Sequence, residues 1–330
     1  MRIPVLCSLL FVILPLFSKN TGKIQLIGSI ESPDIKDVSI MHFTNPFTDS
    51  EFNNTSFKDI SKKGDFYIEK IESKTPRVAL LVTLGIRGME VFMTPGDSVS
   101  FLVKKDEEGR ALFEFSGKNA SYYNYSFQKE RAVRNWPKLY RKGEDILLHK
   151  QSAKKYRDDQ LNFLENYSRR YLVSDEFYDC AKASINNRYI YDLYFPMVNK
   201  QILRKDIPEG YFDEDLRVTN SLSRLYITAL WYLYIYNYTE DIYNNFDLVY
   251  NHIINDFEGD ERAYLMSAMI GLFASKNSTS YSKQLLNAIE KASQYTQNEV
   301  CLRYIEKAKM FYTLLDRQIL ENILKNTYLR

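Results

Sequence analysis

The hydrophobic period changes once along this chain, and that single change limits the folds open to it. From Lys23 to Gly117 apolar residues recur every second position, the spacing of strands with one buried face. Lys23 to Ile30, Val38 to Phe43 and Phe66 to Ile71 alternate in this way. Arg77 to Leu84 is a more continuous apolar strand, and Met89 to Phe92, Ser98 to Val103 and Ala111 to Phe115 complete the series. Asn, Asp and Gly turns separate them. Thr94-Pro95-Gly96-Asp97 reads as a type II turn, because proline presets φ at its second position and glycine accepts positive φ at its third. No helical crossover interrupts the strands, which argues against parallel pairing.

From Lys118 onward the spacing becomes three to four. Tyr156, Leu161, Leu164, Tyr167 and Tyr171 follow it, as do Ile242, Phe246, Val249, Tyr250 and Ile253, and later Tyr304, Ala308, Phe311 and Leu315. Acidic pairs at Asp175-Glu176, Asp213-Glu214 and Asp260-Glu261 stand where first helical turns would place them. The expected fold is α+β: an antiparallel β-sandwich or barrel over residues 22–118, followed by an all-α helical domain of roughly eight helices over 119–330.

Residues 1–20 read as a secretory signal peptide. Met1-Arg2 is a short basic start, Ile3 to Phe17 is apolar, and Ser18-Lys19-Asn20 turns polar. An apolar run of about 15 residues is short of the roughly 20 that span a bilayer. Cys7 precedes the centre of that run and follows Val5-Leu6, which are not the small residues of a lipoprotein signal. The expected location is therefore periplasmic or secreted, with no membrane span in the mature chain. Asn-X-Ser/Thr sequons begin at Asn53, Asn54, Asn119, Asn124, Asn166, Asn237 and Asn277, and matter only in a eukaryotic secretory route.

Composition offers little chemistry. Lys and Arg total 44 against 42 Asp and Glu, so no global field attracts nucleic acid. Only three Cys and three His are present. Cys180 and Cys301 lie in helical patterns among apolar neighbours and are expected to be buried free thiols. His42 falls in a strand and His149 in a charged segment. His252 stands four residues before Asp256, so the pair shares a helix face and reads as a surface hydrogen bond; general-base work is the alternative. Asp213-Glu214-Asp215 lacks the spaced ligands of a calcium loop. The basic pairs Lys154-Lys155 and Arg169-Arg170 read as solvated helix faces. No nucleophile elbow, zinc-protease helix or phosphate-binding glycine motif is present. No catalytic, cofactor-binding or metal residue is assigned, and no cofactor is expected.

Tyrosine is abundant, at 26 residues, and only Tyr67 precedes residue 118. The densest stretch, Tyr226 to Tyr238, reads as a buried helix whose hydroxyls seek polar partners. An aromatic groove for sugar or peptide is the functional alternative.

Phe92-Met93-Thr94-Pro95-Gly96-Asp97-Ser98-Val99-Ser100-Phe101, followed by Phe113-Glu114-Phe115-Ser116-Gly117-Lys118-Asn119-Ala120, resembles the β-rich region preceding the thioredoxin domain in exported thiol–disulfide oxidoreductases of the TlpA/ResA kind from Bacteroidetes. Gly64-Asp65-Phe66-Tyr67-Ile68 fits the same pattern. The resemblance covers residues 22–130 in register and the helical remainder in general character. It implies an accessory role beside a thioredoxin-like redox partner. The family's W-C-x-x-C centre has no counterpart here, so no redox residue carries over. The expectation is an exported non-catalytic binding or scaffold module, with a ligand or protein surface where strands meet helices. The alternative is a periplasmic enzyme, either cryptically redox-active or a hydrolase using His252.

Overall fold

A computed structural model describes residues 23–31, 38–43, 47, 55–59, 67–72, 75–83, 86–105, 109, 111–137, 140–239, 241–276 and 279–328. The expected signal segment, 1–20, lies outside the described residues. Eight strands come first: β1 (Lys23–Ile30), β2 (Val38–Phe43), β3 (Thr55–Asp59), β4 (Tyr67–Glu72), β5 (Arg77–Thr83), β6 (Ile86–Met93), β7 (Ser98–Lys105) and β8 (Ala111–Lys118). The helices follow: α1 (Ala120–Ala132), α2 (Ile146–Tyr171), α3 (Asp175–Val198), α4 (Tyr226–Leu230), α5 (Phe246–Asp256), α6 (Gly259–Ser275), α7 (Ser282–Tyr295) and α8 (Glu299–Tyr328).

The expected fold class, an antiparallel sandwich or barrel followed by an all-α domain, is corrected to mixed α/β, because no sandwich or barrel forms among the described residues. The strands make two open sheets, ordered β4-β1-β7-β8 and β3-β2-β5-β6, and neither closes into a barrel. The first is mixed, because β1 runs parallel to β7, with Gln25 opposite Ser98 and Ile30 opposite Val103. A parallel pair needs a long return connection. Here β2 to β6 supply it, so the absence of a crossover helix did not exclude parallel pairing. Helix α1 then packs on β6 and β8, the edge strands of the two sheets. Its Tyr123 and Phe127 join Ile24, Leu26, Val91, Val99 and Phe113 in one apolar cluster. The arrangement is mixed α/β, with helices predominating after the strands.

Secondary structure changes between Lys118 and Ala120, but the cores do not divide there. Tyr125 of α1 belongs to a second cluster, with Val78, Phe92, Leu164, Phe177 and Cys180. A third, larger cluster fills the helical part, and Phe47, from the segment between β2 and β3, is buried in it with its ring stacked 3.9 Å from that of Tyr304. Helix α3 runs through both helical clusters, contributing Phe177 and Ile185 to one and Ile190, Leu193 and Met197 to the other. Its C-terminal half is buried on nearly all sides, whereas Asp179 and Lys182 in the N-terminal half stay exposed.

The tyrosines explain themselves in this setting. Tyr226 to Tyr238 forms α4 and then a π-helical turn, Trp231–Tyr236. Tyr232 stacks on Tyr191 at 5.7 Å, and Tyr234 meets Phe257 edge-on at 5.3 Å. Hydroxyls elsewhere find partners across the packing: Tyr167 donates to the Ser121 carbonyl at 2.7 Å, Tyr189 to Asp213 at 2.8 Å and Tyr211 to the Leu193 carbonyl at 3.2 Å. Each ring buries apolar area while its hydroxyl ties two elements together.

The two sequence segments around Pro95 and Gly117 meet in space. Gly96 has φ 86°, and the Asp97 amide donates to the Thr94 carbonyl at 3.1 Å, closing the type II turn. The Asp97 carboxylate is 2% exposed. It accepts from the Thr94 amide (2.7 Å), the Thr94 hydroxyl, the Asn119 side-chain amide (2.8 Å) and the Tyr123 hydroxyl (2.8 Å). Thus the turn aspartate anchors the first turn of α1. Asn119 caps that helix in the left-handed region, φ 64°, and Gly117 holds φ 103° where a Cβ would stand 2.6 Å from the Ser98 carbonyl oxygen.

Candidate functional site

The reactive side chains singled out from sequence are dispersed. Cys180 and Cys301 are free and buried, in different apolar clusters. Burial pushes each thiol up to about 12, with Glu90 and Glu176 adding to the effect at Cys180; a Ser267 hydrogen bond opposes it at Cys301. His149 contacts the Asp192 backbone carbonyl at 3.0 Å and meets the Tyr140 ring edge-on at 5.7 Å. His42 falls on β2.

His252 and Asp256 do meet, Nδ1 to Oδ2 at 2.6 Å, one helical turn apart on α5. The imidazole is stacked on Tyr238 at 3.7 Å and faces Phe257 edge-on at 5.3 Å. Asp213 accepts from Lys150 at 2.8 Å and from the Tyr189 hydroxyl. Burial alone would raise its carboxyl, but those donors outweigh burial and hold it below the usual carboxylate range. One member of each basic pair is spent locally, Lys155 on Asp159 and Arg169 on Glu165, each one turn away at 2.5 Å. The sequons at Asn119 and Asn124 carry structural hydrogen bonds, to Asp97 and to the Phe115 backbone. Among the described residues no group of three or more His, Cys, Asp or Glu side chains is placed to hold a metal ion. No helix among them is long and apolar enough to cross a membrane.

Among the described residues, cavities open at places to which no sequence motif pointed. One, about 560 Å³, is a polar cleft between α2, α3 and the segment around 215–220. Arg157, Lys182 and Arg217 face Asp179 and Asp215 across it. Arg157 is already engaged, on Asp158 at 2.8 Å and over the Tyr189 ring at 4.4 Å. The α3 wall comprises Asp179, Lys182, Ala183, Asn186 and Ile190. That spacing is one helix face with a polar upper half.

A smaller cavity, about 120 Å³, lies where β6 and α1 meet α2 and α3. Glu90, Lys129, Glu130, Arg188 and Arg224 bring charge to it, and Trp136 and Tyr156 bring aromatic surface. Arg224 holds Glu90 at 3.1 Å, and Arg188 holds Asp192 at 2.9 Å. A narrower space of about 30 Å³ continues from it, sharing Glu90, Ser126, Lys129 and Ser184, and reaches Tyr125 and Cys180. The lining brings charged, amide and aromatic groups together and contains no nucleophile paired with a base. No family model matches the chain, and no curated protein matches it in sequence.

Proposed function

We propose that the chain is an exported, non-catalytic binding or scaffold module, acting as the accessory region does that precedes the thioredoxin domain in TlpA/ResA-type oxidoreductases. Its partner on this reading is a thioredoxin-like redox protein. The observation that carries it is the separation of reactive groups from accessible space. Both thiols are buried in different clusters with raised pKa values, neither the 560 Å³ cleft nor the 120 Å³ cavity is lined by His or Cys, and only a narrow space of about 30 Å³ reaches Cys180. Disulfide exchange needs an accessible thiolate, whereas charged and amide side chains converging on a cleft suit recognition. The hydrolase alternative rests on the His252–Asp256 contact, and the redox alternative on Cys180 and Cys301.

The test is insulin reduction by the purified chain in the presence of dithiothreitol. The expected rate equals that of dithiothreitol alone. Faster precipitation that disappears in Cys180→Ser or Cys301→Ser overturns the reading.

A further inference from the structure

We propose that the cavity at the junction of β6, α1, α2 and α3 binds a small ring-bearing carboxylate, with the acid on the Lys129 ammonium and the ring against Trp136. The inference rests on the reading of the chain as a binding module and names the chemical class of its ligand.

Three observations converge. First, Lys129 is the cation of this cavity with no carboxylate within ion-pairing distance among the described residues. Arg224 and Arg188 are already held by Glu90 and Asp192. Lys129 instead lies 5.5 Å above the Tyr125 ring. Desolvation lowers its pKa, and Glu90 and Glu130 offset this only in part. A partly buried cation whose carboxylate neighbours, Glu90 and Glu130, only partly offset its desolvation is suited to take a further anion.

Second, Tyr125 is 5% exposed, and its hydroxyl has no hydrogen-bond partner among the described residues. It borders the narrow space shared with Lys129 and Ser126. About 30 Å³ admits one or two heavy atoms, the size of a carboxylate edge. An ammonium and a buried, unused hydroxyl around one such space form a donor set for an oxyanion; Glu90 lines the space as well, with its charge held by Arg224 at 3.1 Å.

Third, the Trp136 ring is 40% exposed and lies 5.4 Å from that of Tyr156, so the cavity has an aromatic wall open to solvent. A flat apolar ring or a sugar face stacks on such a wall. The volume, about 120 Å³, is close to that of an engineered cavity that takes benzene, roughly six heavy atoms. The ligand therefore has one ring and one acid inside, with any remainder outside past Trp136.

Isothermal titration of the full chain tests this with D-glucuronate and benzoate as probes and D-glucose and benzyl alcohol as neutral counterparts. At least one carboxylate is expected to bind at least tenfold more tightly than its counterpart, and which one binds tells a sugar acid from an aromatic acid. Lys129→Met is expected to weaken that probe at least tenfold while the melting temperature holds or rises, because the variant removes a desolvated charge. Trp136→Ala is expected to weaken it severalfold while the chain stays folded by circular dichroism. The proposal is overturned if neither carboxylate binds at about 10 mM, if the neutral counterparts bind as well, or if Lys129→Met binds like the parent. Insulin reduction by the chain would overturn the non-catalytic reading and leave this site standing. A failed titration on a chain with silent thiols would do the reverse.

Discussion

Replacing Asp97 by alanine should unfold the link between the β6–β7 turn and helix α1. The carboxylate is 2% exposed and accepts four hydrogen bonds, from the Thr94 amide and hydroxyl, the Asn119 amide and the Tyr123 hydroxyl. Tyr123 is fully buried, so its hydroxyl would lose its acceptor with no water to replace it. Asn119 would keep only the Thr94 hydroxyl, at 3.1 Å. A hydrogen bond to a charged acceptor contributes about 1.5–3 kcal/mol, and an orphaned buried donor costs about 1–3 kcal/mol. With the turn amide able to recover some solvent, the sum is about 3–5 kcal/mol. Asp97→Asn should cost about 2–4 kcal/mol, because its amide presents donors to donors. Urea unfolding followed by circular dichroism measures both, read as a shift in midpoint at constant slope. In a double-mutant cycle with Tyr123→Phe, the coupling should exceed about 1 kcal/mol. A loss below about 1 kcal/mol for Asp97→Ala, or additivity with Tyr123→Phe, would refute the claim that this carboxylate holds strand region and helix together.

Gly117→Ala should cost more than about 2 kcal/mol, because its φ is 103° and the new Cβ would stand 2.6 Å from a backbone oxygen of β7 that the sheet holds in place. Gly143→Ala, with φ 91° and open space around it, should lose only the left-handed strain of about 1–2 kcal/mol; equal losses in urea unfolding would refute the steric part. Asp213 is held below its ordinary value of 3.8, so its contribution is present above that value and is lost as pH falls through the lower folded value. Asp213→Asn should therefore flatten the acid limb of stability against pH below about 4, and an unchanged acid limb would contradict the role of Lys150 and Tyr189.

Local structure was legible where one face of an element is buried. In β7, Val99, Phe101 and Val103 point inward and alternate with exposed or half-exposed neighbours. In α2, Tyr156, Leu164 and Tyr167 keep the helical spacing. Pairing was not legible, because the β1–β7 contact joins segments about 70 residues apart and nothing in either strand's alternation encodes a parallel neighbour. Nor was the sharing of α1 between two clusters. Tyr123 and Phe127 face the sheets while Tyr125 faces α2 and α3, so the helix has no single apolar stripe. The junction site escaped for a related reason: Glu90, Lys129, Tyr156, Arg188 and Arg224 come from five separate stretches of chain. Each alone reads as an ordinary surface charge or packing tyrosine. The His252–Asp256 contact was legible because four-residue spacing on one helix is a local property.

The most direct test of the central claim, that this chain recognises without performing thiol chemistry, is insulin turnover by its reduced form at pH 7. Burial pushes both thiols up to about 12, so at pH 7 they stand overwhelmingly protonated. The account predicts a rate indistinguishable from that of dithiothreitol alone. Turnover above that rate, lost on Cys180→Ser or Cys301→Ser, would contradict it.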